Sequence, residues 1–106
     1  MDRLIIAIIH RADVEAVGDS LRAAGHRFTM VPSVWGFLGI DNATFLIGCD
    51  EPAVDRVLEA VERGSSRREI EVPLVLLGRL KDWEASVVAH GRATAFVIEV
   101  ERSAQL

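Results

Sequence analysis

The residues best suited to holding an anion beside a flat ring lie close together, between Arg27 and Gly48. Arg27 offers a rigid, permanently charged fork and Thr29 a hydroxyl, both donor types that meet phosphate oxygens well. Further on, Trp35-Gly36-Phe37-Leu38 combines a ring that can stack on a base with a glycine that lets the backbone approach and donate its amides. Asn42 carries a donor and an acceptor that can match an adenine edge. A solvated loop normally avoids bringing Val34, Trp35, Phe37, Leu38 and Ile40 so close together. Such a loop either packs against another copy of the chain or receives something flat and apolar. The residues alone leave both readings open.

Other chemistry has less support. The three histidines, His10, His26 and His90, sit at expected element boundaries, without metal-motif spacing to one another, to the cysteine or to a carboxylate. Cys49 ends an apolar segment with no base beside it, as expected of an inert buried thiol. There is no nucleophile elbow, phosphate loop or dinucleotide fingerprint. Glu59, Glu62, Glu69 and Glu71 fall where solvated charges belong. The expectation is therefore a protein without catalysis, metal or cofactor. A net charge of -4 supplies no field for polymeric nucleic acid, and Arg63, Arg67 and Arg68 are offset by Glu62 and Glu69. One cysteine cannot close an intramolecular disulfide, which suits a cytoplasmic setting. The apolar run Leu4 to Ile9 is too short to span a bilayer and lacks a cleavage site, so no membrane insertion is expected.

The elements that must position these residues read as one domain over 1–106. Leu4 to Ile9 is β-branched and expected to be a strand buried on both faces. Val14, Val17, Leu21 and Ala24 then recur at helical spacing, with Gly25 available to end the helix. His26 to Val34 has strand chemistry, with Phe28 and Met30 on one face and Pro32 marking an edge. Ser33 to Asp41 reads as a loop and Asn42 to Cys49 as a strand. Asp50 is placed to cap a second helix with Pro52 in its first turn, its stripe formed by Val54, Val57, Leu58 and Val61 and its end by Gly64. Trp83 to Ala89 and Ala93 to Val100 read as closing strands. This order predicts an α+β, ferredoxin-like βαββαβ sandwich with an extra hairpin before the last strand.

LIIAII at the start, Arg27-Phe28-Thr29, Gly36-Phe37-Leu38, Asn42-x-Thr44-Phe45-x-Ile47-Gly48, Arg67-Arg68 and Gly91-Arg92-Ala93-Thr94-Ala95-Phe96-Val97 occur in one order. Together they resemble the PII-like cyclic-di-AMP receptor family, most closely over positions 4 to 68. The resemblance implies a non-catalytic homotrimer with cyclic-di-AMP, or a related adenine nucleotide, in clefts between subunits. Loop rearrangement on binding then signals to an unknown protein target. It also implies that Arg27, Thr29, Gly36, Phe37, Leu38, Asn42 and Gly48 surround the ligand, with the neighbouring Phe28 and Trp35 counted among them. Three features depart from the family's usual pattern. Trp35 stands where a second glycine is usual, Met30 stands where a lysine is usual, and Pro73 to Ala89 is shorter and more apolar. The competing reading is a PII-like adaptor that has lost its nucleotide, Trp35 filling the space, and acts by protein contact.

Overall fold

A computed structural model describes residues 1–32, 42–65, 86–89 and 93–104. Strand β1 (Arg3–His10) leads through a single 3-10 turn to helix α1 (Val14–Ala23), followed by β2 (Thr29–Pro32) and β3 (Asn42–Cys49). A second 3-10 turn opens α2 (Val54–Gly64), and β4 (Ser86–Ala89) and β5 (Thr94–Glu99) complete the order. The five strands among the described residues form one sheet in the order β2-β3-β1-β5-β4, with every adjacent pair antiparallel. β1 and β2 therefore run parallel with β3 between them, the split β-α-β arrangement of ferredoxin-like folds. The extra strand, β4, forms a hairpin with β5 at the far edge.

Alternation along the strands gives the sheet two different faces. Ile5, Ala7 and Ile9 of β1, Ala43, Phe45 and Ile47 of β3, and Ala95 of β5 pack with Val17 and Leu21 of α1 and Val57, Ala60 and Val61 of α2. Both helices thus lie on one side. The opposite face carries Leu4, Ile6, Ile8, Leu46, Phe96 and Ile98, of which Ile8, Phe96 and Ile98 are buried and the rest half-buried. The run Leu4 to Ile9 is apolar without alternation because β1 is central and packs on both faces.

Gly25 ends α1 as its position suggests. At φ 81° it takes the left-handed conformation, with its N–H on the Arg22 carbonyl at 3.0 Å and the His26 N–H on the Leu21 carbonyl at 2.9 Å. These two bonds form a Schellman motif. They also correct two expectations. Ala24 lies exposed past the helix instead of on its buried stripe. The strand begins at Thr29 rather than His26, because the cap occupies the intervening chain.

The start of α2 also departs from expectation. Asp50 makes no side-chain cap bond; the Glu51 N–H donates instead to Asp2 Oδ1 at 2.8 Å. Gly64 ends α2 as expected, as its last residue. A Cβ there would come within 2.6 Å of Val17 Cα and 2.7 Å of the Ala16 carbonyl oxygen, so a bare Cα is what allows the two helices to close. Ser20 Oγ reinforces the crossing by donating to the Ala60 carbonyl at 2.6 Å.

Candidate functional site

The β2-β3 pair gathers the described site residues. Its register sets Thr29 against Leu46, Met30 against Phe45 and Val31 against Thr44. Phe45 belongs to the helix-side core, so Thr29, Val31, Asn42, Thr44, Leu46 and Gly48 share the face away from α1 and α2, which is the helix-free face among the described residues. Thr29 is a diagonal neighbour of Thr44, a separation of roughly 7–8 Å. Asn42 lies two residues from Thr44 on the same strand, about 7 Å away. Thr29, Thr44 and Asn42 therefore make a polar row of two hydroxyls and one amide along this face, with Thr44 in the middle.

Gly48 stands apart from Asn42. Six residues of extended strand separate them, a span of about 20 Å. One base cannot touch both within a single chain. Gly48 is exposed, and the Met1 thioether lies across it: a Cβ built on Gly48 would overlap Met1 Sδ. Met1 and Asp2 are held there by several contacts. The Asp2 N–H donates to the Cys49 carbonyl at 3.2 Å, and the Asp2 carbonyl accepts from the Val100 N–H at 2.8 Å. The Met1 ammonium lies 3.0 Å from Asp50 Oδ1, and that bond and charge raise its pKa above the usual amine value.

Arg27 and Phe28 do not join the polar group as the sequence suggested. Arg27 is exposed and lies ahead of β2, so strand alternation does not set it on the Thr29 face. Phe28 turns to the helix side. Its ring lies 5.0 Å from that of Phe45, centroid to centroid, and the Arg22 guanidinium lies 5.0 Å from its centroid. Its aromatic surface is used by the core. Met30, paired with Phe45, also lies on the side away from Thr29. The methionine in place of the usual lysine thus leaves the Thr29 face unchanged. Trp35, Gly36, Phe37 and Leu38 lie outside the described residues, as do Arg67, Arg68, Gly91 and Arg92.

The remaining candidates have structural roles. His10 caps the first 3-10 turn, its Nδ1 accepting from the Ala12 N–H at 3.1 Å. Cys49 is half-buried against the core, and desolvation raises its thiol pKa, which keeps it in the poorly nucleophilic protonated form. No group of three or more potential metal ligands occurs among the described residues, and no described helix is long and apolar enough to cross a membrane. Thr44 joins the polar row without being among the candidate residues that the sequence singled out. Its signal was its parity with Asn42 on one strand.

Two comparisons bear on this arrangement. The sequence pattern of the cyclic-di-AMP receptor family matches residues 2–106. A functionally unknown protein from Pediococcus pentosaceus ATCC 25745, known from its crystal structure, is similar at 25% identity and a TM-score of 0.67. The match covers 98% of this chain and 96% of that one, so the likeness extends over the whole fold.

Proposed function

The chain belongs to the cyclic-di-AMP receptor family, and from that premise we propose that it is a PII-like signalling protein that binds cyclic-di-AMP or a related adenine nucleotide and does no chemistry on it. The observation that carries this reading is the placement of Thr29 and Asn42 on one sheet face, with Thr44 between them. Hydroxyls and an amide at this spacing suit the phosphate and base edges of a nucleotide. Gly48, about 20 Å along the same strand from Asn42, cannot meet the same base from the same chain.

A homotrimer resolves that separation. In a cyclic assembly each interface brings together two different patches of neighbouring copies, so one end of the strip can face the other end of the next. The half-buried Leu4, Ile6 and Leu46 on the helix-free face supply apolar surface for such contacts. Phe37 and Gly36, in the segment between β2 and β3, complete the site by stacking and by donating amides. Loop rearrangement on binding then presents a changed surface to a protein target, in a cytoplasmic setting. Calorimetric titration of the purified protein with cyclic-di-AMP, ATP, ADP and AMP tests the reading. Heat with at least one of them is expected, and silence with all four removes nucleotide binding in favour of an adaptor that works by protein contact alone.

A further inference from the structure

Thr44 is 8% exposed, yet its hydroxyl oxygen has no hydrogen-bond partner among the described residues. A buried hydroxyl without a partner loses its water and gains nothing in exchange, and valine would fill the same space without that cost. The position is also specific. Thr44 lies midway between Asn42 and Leu46 on the helix-free face, flanked by Val31 on β2 and Ile8 on β1. It is thus the inner member of the polar group whose outer members are Thr29 and Asn42. Both direct neighbours across the strands are hydrocarbon, so neither side chain can accept its proton.

We propose that Thr44 is a further ligand-positioning residue, its unpartnered hydroxyl forming a hydrogen bond to the bound nucleotide. This rests on the nucleotide-binding reading above. The hydroxyl oxygen is covered within the single chain, so the bond requires the covering atoms to move. Thr44 therefore ties binding to rearrangement: the hydrogen bond that the free protein lacks becomes available only in the rearranged state. A group costly in one state and satisfied in the other biases the equilibrium toward the second, and it does so only with ligand present.

Thr44→Val separates this role from a structural one because the two effects have opposite signs. Removing the hydroxyl should leave the melting temperature of the free protein unchanged or raised, and should weaken cyclic-di-AMP binding about tenfold, the loss expected for one good hydrogen bond. Thr44→Ser gives up a methyl but keeps the hydroxyl. It should melt lower and bind cyclic-di-AMP close to wild-type affinity. Calorimetry for affinity and thermal melting without ligand supply the two readouts, and light scattering follows the assembly. The proposal is overturned if Thr44→Val binds like the wild type, if it melts markedly lower, or if its weaker binding merely follows a dissociated assembly. A wild-type protein that binds no cyclic-di-AMP removes the nucleotide reading itself, and this inference with it.

Discussion

Arg27 and Thr29 stand two residues apart, but the end of α1 makes their situations different. The cap at Gly25 and His26 delays β2 to Thr29, so Thr29 is fixed by the strand's alternation and Arg27 is not. Arg27 remains an exposed cation on the approach to the site, and we expect it to act mainly through charge. Arg27→Ala should lower nucleotide affinity and flatten its dependence on ionic strength, as read from titrations at several salt concentrations. Thr29→Val keeps the shape and strand propensity and deletes only the hydroxyl. It should lower affinity with no loss in melting temperature, since the exposed hydroxyl is not required by the fold. If both variants match the wild type at every salt concentration, the phosphate contact lies elsewhere. Phe28 shows how limited a local reading is. Aromatic and flanked by two binding candidates, it faces the core because the Phe45 ring and the Arg22 guanidinium pack against it there.

At the scale of elements, the two helices are held on one sheet face by close contact as much as by apolar area. Gly64 brings the end of α2 against the α1 backbone, where a methyl group meets main-chain atoms at 2.6–2.8 Å. Main chain cannot give way as a side chain can. Replacing a helical glycine with alanine ordinarily gains up to about 1 kcal/mol. Here overpacking, which costs about 1–3 kcal/mol and sometimes more, should dominate. Gly64→Ala is expected to lower stability by about 2 kcal/mol in denaturant unfolding. Gly48→Ala is the natural control. Its added methyl meets only the Met1 side chain, which is flexible, so stability should change little. A neutral Gly64→Ala would mean that the helices separate more easily than their packing implies.

For the whole molecule, the question is what the second face of the sheet does. A lone sandwich needs one apolar face, and this chain has a helix-side core and a second face. On that second face Ile8, Phe96 and Ile98 are already buried within the single chain, while Leu4, Ile6 and Leu46 stay half-buried, leaving them as surface for a neighbouring copy. Half of its residues are hydrophobic, rich for one small domain. Together with the separation of Asn42 from Gly48, this leads us to expect three chains per particle in solution. Light scattering at micromolar concentration should return three times the mass of one chain. A monomer would leave Gly48 unable to share a ligand with Asn42.

The family and the order of elements were legible in the sequence itself. β3 was readable to its ends because a polar residue, a β-branched and aromatic run and Asp50 bound it within its own stretch. The stripe of α2 was readable from helical spacing, and the family from ordered motifs that run along nearly the whole chain. These are local signals, carried by neighbours in sequence. What the tertiary structure alone decided depends on partners far along the chain. The α2 turn is capped from Asp2, 49 residues earlier, rather than by Asp50. Gly64 is needed because of Val17 and Ala16, and Phe28 is claimed by Phe45. Thr44 changed from a motif residue to a candidate contact only when strand register placed it between Val31 and Ile8 with its hydroxyl unpaired. Periodicity states which side of a strand a residue occupies, but only packing decides what lies on that side.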